Sequence, residues 1–409
     1  MSQTASPACV ELLARLVAFD TTSHRSNLPL IHFVRDYLAE YGVEATLVHD
    51  VSGEKANLYA TIGPADQAGV MLSGHTDTVP VTGQMWNSDP YHLTAKGERL
   101  YGRGTADMKG FLAVVLAMVP AMVQADLCVP IHLAFSHDEE VGCLGVRSLI
   151  DTMRQYRVRP AACVVGEPTS MRLATAHKGK IAGRIQVRGK ACHSGMAPEG
   201  VNAIQAAAPL LYWFEETAAQ KASRGPYDKR FAIPFTTLQI GTIEGGTALN
   251  IVPDACRFDF EIRNVPEDDP EALLAMLRVE VDRLDRCLKQ YSPDAGATLE
   301  YLGDYPGLSM AEESELVEFV LALLDDPRRE RIGFGTEAGL FQQRLGIPTL
   351  VCGPGSMAQG HQPDEYVTRD QLLRCETFLR RLIAALADPD AVRRLELACA
   401  ESIDNFQPA

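Results

Sequence analysis

Residues 68–77 read AGVMLSGHTD, and residues 130–140 read PIHLAFSHDEE. Each segment is a short apolar run that ends in a group of polar side chains. The chain between them includes residues 109–122, KGFLAVVLAMVPAM, which have the length and apolar content of a buried helix. Short buried strands that alternate with helices are typical of a largely parallel sheet with helices on both faces. These residues therefore predict an α/β fold around a mainly parallel sheet.

The same pattern extends along the chain and is interrupted once. Residues 161–169 (AACVVGEPT) and 346–353 (GIPTLVCG) predict further buried strands. From about residue 180 the sequence instead gives the order strand, helix, strand, strand, helix, strand, which favours a small antiparallel sheet backed by two helices. We predict an α/β domain formed by residues 1–179 and 304–409, interrupted by an inserted α+β domain, ferredoxin-like in its element order, of residues 180–303.

The composition excludes several classes of function. The 409 residues carry a formal net charge of -15, and such a surface repels nucleic acid and anionic membranes. The ten cysteines are scattered and form no CxxC pair, which favours a reducing compartment over a disulfide framework. The N-terminal residues lack the basic start and apolar run of a secretory signal. We therefore expect a cytoplasmic enzyme that acts on a small molecule, with neither nucleic acid nor a membrane as its partner.

Residue types that bind metal ions follow the buried runs in five segments. The segments are SGHTDTVP (73–80), GRGTADMKG (102–110), SHDEEVG (136–142), VGEPT (165–169) and GHQPDE (360–365). Zinc takes imidazole nitrogen and carboxylate oxygen, and two-metal hydrolases use about five such ligands, one of them shared. Because ligands of parallel sheets gather at the carboxyl ends of the strands, these five segments together predict a metal site.

The spacing within two of the segments indicates a division of roles. His75 and Asp77 are two residues apart, so on a strand they would point to the same side, and Asp77 could hold the second ring nitrogen of His75. Glu139 and Glu140 are neighbours and would point apart on a strand, so one could bind metal while the other accepts a proton. Each pattern alone is also common in solvated loops and tight turns. It is the joint occurrence of these patterns in one predicted sheet that favours a metal site.

Taken together, SGHTDTVP, YGRGTADMKG, HDEE and GEPT resemble the dinuclear zinc aminoacylase/carboxypeptidase family, and the resemblance covers almost the whole chain. It implies two zinc ions, with cobalt as a possible substitute. It further implies that His75 and Glu167 bind one ion, that His361 and Glu140 bind the other, and that Asp107 bridges them. It also implies a cis peptide bond after Asp107.

The resemblance assigns the surrounding roles as well. It implies that Asp77 supports the first histidine ligand and that Glu139 is the general base. His193, in KACHSGMAPEG of the inserted domain, would stabilise the oxyanion, often across a homodimer that the inserted domains form. Arg263 would bind the substrate α-carboxylate, because its planar guanidinium matches a carboxylate, and Asn250 would assist it.

Residues 86–113 and 335–367 resemble most closely the family members that deacetylate N²-acetylornithine. The substrate would then be a small N-acyl amino acid, and the reaction would convert N²-acetyl-L-ornithine to L-ornithine and acetate in arginine biosynthesis. Glu337 would attract the ornithine side-chain amine or only stabilise its loop. Glu167 departs from the usual aspartate at its position. The open alternatives are a succinyl-diaminopimelate desuccinylase, a broader aminoacylase or carboxypeptidase, and an inactive relative that serves as a binding module.

Overall fold

The fold is seen in a computed structural model that describes residues 4–404, so the predicted domain limits at residues 1 and 409 lie outside the described residues. In chain order, the elements begin with α1 (Pro7–Val17), α2 (Leu28–Glu40), β1 (Ala45–His49), β2 (Ala56–Ile62), β3 (Val70–His75), β4 (Thr94–Lys96), β5 (Arg99–Tyr101) and α3 (Lys109–Gln124). They continue with β6 (Ile131–Ser136), α4 (Gly145–Met153), β7 (Ala162–Pro168), β8 (Leu173–His177), β9 (Lys180–Arg188), α5 (Ala203–Arg224), β10 (Thr237–Gly245), β11 (Ala255–Arg263), α6 (Pro270–Lys289) and β12 (Gly296–Tyr305). The last are β13 (Leu308–Ser309), α7 (Glu315–Leu321), β14 (Arg329–Ile332), α8 (Ala338–Leu340), β15 (Thr349–Gly353), β16 (Tyr366–Thr368), α9 (Arg369–Leu386) and α10 (Pro389–Asp404).

The chain divides into two compact units. The first unit comprises Met1–Ala176, Leu308–Arg331 and Thr336–Ala409, and the second unit comprises His177–Gly307 and Ile332–Gly335. The segment predicted as an insertion, residues 180–303, lies inside the second unit. Among the described helices, none combines the length and the apolar character that crossing a bilayer requires.

The first unit is built on a mixed sheet whose strand order is β1-β2-β6-β3-β7-β15-β8-β13, with β14 paired to β8. The four strands β6, β3, β7 and β15 run parallel, whereas β1, β2 and β8 pair antiparallel to their neighbours. Every residue of β3, β6, β7 and β15 is buried, as expected for parallel strands covered on both faces. The predicted α/β fold is confirmed, and the sheet is parallel at its centre and antiparallel towards its edges.

Helix α3 covers the centre of this sheet. It is buried along most of its length and contacts α1, α9, β3 and β7. Its contact with β7 depends on a glycine, because a Cβ at Gly166 would lie 2.0 Å from Cγ of Phe111. The absence of a side chain there lets the start of α3, and with it Asp107, approach the end of β7 that carries Glu167.

The second unit has the predicted element order, β9, α5, β10, β11, α6 and β12. Its strands form an antiparallel sheet in the order β10-β11-β9-β12. Helix α6 begins where Asp269 accepts hydrogen bonds from the backbone of Glu271 and Ala272, and Pro270 occupies the first helical position, a common helix start. The second unit has its own hydrophobic core, which includes Phe214 of α5 and Phe258 of β11.

Candidate metal centre

The register of the parallel strands brings the first two predicted ligands together. Ser73 of β3 pairs with Val165 of β7, so His75 and Glu167, each two residues further along, lie at the same edge of the sheet. His75 also pairs with Ser136, the last residue of β6. The loop after β6 therefore starts beside His75.

The carboxylate of Asp107 lies between two histidines. Its Oδ1 lies 3.0 Å from Nε2 of His75, and its Oδ2 lies 3.2 Å from Nε2 of His361. His75 Nε2 is also 3.7 Å from Oε1 of Glu167, and His361 Nε2 is 2.9 Å from Oε2 of Glu140. One carboxylate with one oxygen facing each imidazole is the arrangement that a bridging ligand requires. The Asp107–Met108 peptide bond is cis, as the resemblance implied.

The donor atoms lie close enough to hold metal ions. Those of His75, Glu139 and Glu167 lie within 4.8 Å of one another, as do those of His75, Asp107 and Glu140. Oε1 of Glu140 is buried and has no hydrogen-bond partner among the described residues. Imidazole nitrogens with carboxylate oxygens are a suitable donor set for zinc and similar divalent ions. The residues present therefore fit a pair of bound ions.

The centre concentrates negative charge in a buried place. Burial, together with the charge of Asp107, raises the pKa of Glu139 to about 8 and that of Glu140 to about 7. Hydrogen bonds from His361 to Asp107 and Glu140 raise the pKa of its imidazole to about 10. Bound cations would reverse these shifts, because they stabilise ionised carboxylates and neutral imidazoles.

These shifts predict how pH affects the metal-free protein. Glu139, Glu140 and His361 have folded-state pKa values above their unfolded values, so above about pH 5 they bind more protons in the folded chain, and stability falls as the pH rises. Burial lowers the pKa of His132 and His177 to about 4, which opposes this trend below about pH 6.5 without cancelling it. We expect the thermal unfolding temperature of metal-free protein to fall between about pH 5.5 and 8, and metal-loaded protein to lose less. Metal-free protein that is more stable at the higher pH would contradict this electrostatic account.

The segment 137–140 is a loop and not the strand that the sequence suggested. Strand β6 ends at Ser136, and Asp138 has a left-handed φ of 55°. The prediction that Glu139 and Glu140 point apart as neighbours on a strand is therefore wrong. Their positions are instead set by Asp77, whose Oδ1 accepts the Glu139 N–H at 3.1 Å and whose Oδ2 accepts the Glu140 N–H at 3.3 Å.

Asp77 also contacts His75, but mainly through its backbone. The carbonyl oxygen of Asp77 lies 3.0 Å from Nδ1 of His75, whereas its carboxylate is 3.5 Å away. A proton on Nδ1 leaves Nε2 free to bind metal. The carboxylate accepts a further hydrogen bond from Ser23 Oγ at 2.8 Å. Asp77 thus orients the ring through its carbonyl and holds the loop of Glu139 through its side chain.

Glu337 lies behind the centre. Its side chain is buried, and its two carboxylate oxygens accept hydrogen bonds from Ser73 Oγ at 2.6 Å and from Ser136 Oγ at 2.7 Å. A carboxylate engaged in this way does not fit the predicted contact with a substrate amine. It instead connects the adjacent strands β3 and β6, whose ends carry His75 and the loop of Glu139.

The sequence interpretation missed Arg103 and Glu365. Both side chains are 1% exposed, and they form an ion pair at 2.7 Å. Each lies in a segment named above, GRGTADMKG or GHQPDE, four positions from a predicted ligand. The sequence places one cationic and one anionic residue in two segments that were expected to lie together. Charges that become buried require partners, so an ion pair between these two residues could have been predicted.

The second unit holds the other three predicted residues. His193 lies beside Asn250, whose carbonyl accepts the Ser194 N–H at 3.0 Å. Nδ1 of His193 accepts the Gly195 N–H at 3.1 Å, which in the neutral ring places the proton on Nε2. Arg263 ends β11 and pairs with Glu261 at 2.6 Å. The loop of Asn250 precedes the other end of β11, so strand length alone separates the two by about 25 Å.

Comparisons with known proteins agree with this geometry. Residues 71–385 match Peptidase family M20/M25/M40. The chain is 36% identical to the acetylornithine deacetylase of Myxococcus xanthus over 92% of this chain and 97% of that protein. It is 34% identical to the acetylornithine deacetylase of Pasteurella multocida over the same shares.

Solved structures with low sequence identity share the fold. An M20 family metallo-carboxypeptidase from Sulfolobus solfataricus superposes with a TM-score of 0.75 at 17% identity, covering 93% of this chain and 100% of that one. An aminopeptidase from Bacillus cereus gives a TM-score of 0.69 at 22% identity, covering 93% of this chain and 98% of that one. The chain therefore belongs to Peptidase family M20/M25/M40.

Proposed function

We propose that this protein is a metal-dependent hydrolase of N-acyl amino acids that converts N²-acetyl-L-ornithine to L-ornithine and acetate, a step of arginine biosynthesis. The observation that carries the proposal is the bridging position of Asp107, with one oxygen facing His75 and the other facing His361. The substrate is inferred from the acetylornithine deacetylases that the chain resembles over 92% of its length.

In the proposed site, His75 and Glu167 hold one ion, Glu140 and His361 hold the other, and Asp107 is shared. Two zinc ions, or cobalt ions as substitutes, would supply Lewis acidity to the acyl carbonyl and acidify water at this site. The protein fixes the donors in position before binding, since His75, Asp107 and Glu167 are all buried in the first unit.

Glu139 is the proposed general base. As water attacks the acyl carbon, Glu139 accepts the proton that the water loses, and it delivers that proton to the amine when the carbon–nitrogen bond breaks. Its backbone is held by Asp77, and its Oε1 lies 3.3 Å from Cys143 Sγ. These contacts leave its other carboxylate oxygen to accept the proton.

His193 is the proposed donor to the oxyanion. With Nδ1 accepting the Gly195 N–H, the neutral ring presents an N–H at Nε2, which is the group that a developing alkoxide needs. Arg263 is the proposed partner of the substrate α-carboxylate. Because about 25 Å of strand separates Arg263 from the loop that carries Asn250, we propose that His193 and Asn250 serve the site of a second subunit.

The proposed homodimer forms through the second unit. Strand β10 is an edge of its sheet, and an open edge favours pairing with another strand. Beside it lies a groove of about 740 Å³ lined largely by apolar residues of α5 and β10, among them Leu211, Ile240 and Ile243. Apolar surface next to an open strand edge supports self-association at this place.

We expect Ile243→Lys to convert the dimer to a monomer and to lower turnover, because a charge in the apolar interface opposes association and removes His193 from the partner's site. Light scattering after size-exclusion chromatography gives the mass, and Val51→Lys, on the exposed surface of the first unit, is the control. A wild-type monomer with full turnover would contradict the dimer proposal.

A cytoplasmic location is also proposed. All ten cysteines lie within the described residues and are free, as is usual in a reducing compartment.

A substrate panel tests the proposed function. Metal-loaded protein should hydrolyse N²-acetylornithine with a kcat/KM about 10-fold or more above its values for other acetylated amino acids and for succinyl-diaminopimelate. A preference for the succinyl compound would instead indicate a desuccinylase. A protein that neither binds metal nor hydrolyses any of these amides would be an inactive relative.

A further inference from the structure

The two histidines of the centre are held in different ways. His75 ends a buried strand, and its side chain is 1% exposed, whereas the side chain of His361 is 44% exposed. His361 has a φ of 63°, and Asp364 has a φ of 56°. Residues other than glycine rarely adopt this region. The loop that carries His361 therefore requires contacts outside itself to keep its conformation.

Glu365 ties the end of this loop to the backbone around Asp107. Its Oε1 accepts the N–H groups of Ala106 at 2.9 Å and Asp107 at 3.1 Å. Its Oε2 accepts the Gly104 N–H at 3.0 Å and Nη1 of Arg103 at 2.7 Å. A buried carboxylate with four donors is fully satisfied, so its position fixes the backbone that presents Asp107.

Arg103 and Gln84 extend the connection to His361. The second guanidinium nitrogen of Arg103 donates to Oε1 of Gln84, and Nε2 of Gln84 donates to the carbonyl of His361 at 2.9 Å. The guanidinium carbon lies 5.0 Å from the ring centroid of Trp86, whose indole N–H donates to Gln84 at 3.1 Å. The chain of contacts thus begins at the Asp107 N–H and ends at the His361 carbonyl.

We propose that Glu365, Arg103 and Gln84 are positioning residues that set the spacing between Asp107 and His361 and thereby the affinity of the second metal ion. We call these three residues the brace. This inference rests on the proposed two-metal function. The other ion takes His75 and Glu167 from strands β3 and β7, and among the described residues the brace forms no hydrogen bond or ion pair with either of them. Asp107 is shared by both ions, so its position affects each of them, whereas the link from Gln84 to the His361 carbonyl affects only the ion that His361 and Glu140 hold.

The test compares Glu365→Gln with wild-type protein in cobalt binding. Glutamine keeps the size of the side chain but turns a donor towards Arg103 and the Gly104 N–H. Metal-free protein is titrated with Co²⁺. Binding is monitored by calorimetry and by visible absorption, and the absorption reports the coordination of each ion. Partners of metal ligands commonly contribute about 10–100-fold to metal affinity, so we expect the second binding step to weaken by this factor. The first step should weaken less, because the first ion keeps His75 and Glu167 as ligands.

Two further variants separate positioning from general damage. Glu376→Gln removes another buried carboxylate of the first unit, which accepts hydrogen bonds from Ser6, and it should leave both binding steps unchanged. Gln84→Met removes the link to His361 at a half-buried position outside the helices and strands. It should weaken the second step by about 10-fold at an unchanged unfolding temperature.

The outcomes distinguish this inference from the function on which it rests. Wild-type protein that takes up a single ion would overturn the two-metal proposal and the brace together. Wild-type protein that takes up two ions, while Glu365→Gln and Gln84→Met bind both with unchanged affinity, would overturn the brace alone. Equal weakening of both steps in Gln84→Met would also overturn it, because the proposed effect is selective for the second ion.

Discussion

Glu139→Gln should lower kcat for N²-acetylornithine by about 10²–10⁴-fold, the usual contribution of a general base. The amide has the same size as the carboxylate and can occupy the same place, but it cannot accept a proton. Binding of the two ions should persist, because the proposed ligands are other residues. KM should change little, since the base acts on water and on the leaving amine.

The measurement combines steady-state kinetics with metal analysis of the same sample. Glu376→Gln, the same substitution at a buried carboxylate of α9, is the control and should retain wild-type turnover. Turnover that survives in Glu139→Gln would remove Glu139 from the role of base. Loss of an ion from this variant would show that Glu139 is a ligand, which its closeness to His75 and Glu167 also permits.

Asp107→Asn should have the largest effect on the metal centre. The carboxylate faces both histidines, at 3.0 Å from His75 and 3.2 Å from His361, and a neutral amide is a much poorer bridging ligand than a carboxylate. We expect the protein to hold no more than one ion and turnover to fall to the uncatalysed level. Although burial opposes its ionisation, hydrogen bonds from His361 and His75 hold the pKa of Asp107 well below its usual range, so loss of this carboxylate should modestly lower the unfolding temperature of the metal-free protein.

The control is Asp326→Asn, which removes a carboxylate that pairs with Arg328 and Arg172 elsewhere in the first unit. It should retain both ions and full turnover. Two bound ions and unchanged kinetics in Asp107→Asn would remove the bridging role from Asp107. The unfolding temperature distinguishes the loss of a metal ligand in a folded protein from the loss of the folded structure.

The fold could be predicted because its signal is local. Continuous apolar runs such as residues 70–72 and 131–135 indicate strands that are buried on both faces. The antiparallel strands at the edges of the first sheet were not predicted. Pairing direction depends on which strands become neighbours, and β2 and β6 are far apart in sequence. The element order of the second unit was clear because its strands alternate in exposure.

The ligand residue types could be selected because they follow buried strands at one edge of a sheet. Their supporting contacts could not be predicted in the same way. Glu337 contacts Ser73 and Ser136, which are more than 200 positions away in sequence. Asp77 holds the backbone of a loop whose left-handed turn at Asp138 no residue pattern indicated. Contacts of this kind depend on the packing of distant segments, which periodicity does not report.

We propose that this site needs two metal ions to hydrolyse an N-acyl amino acid. The most direct test is to add zinc stepwise to metal-free wild-type protein and to measure release of ornithine and acetate from N²-acetylornithine. We predict that activity rises until two ions are bound per chain and that the two products appear in equal amounts. Full activity with a single ion, or without any, would contradict the two-metal account, and the absence of hydrolysis at full metal occupancy would contradict the proposed substrate.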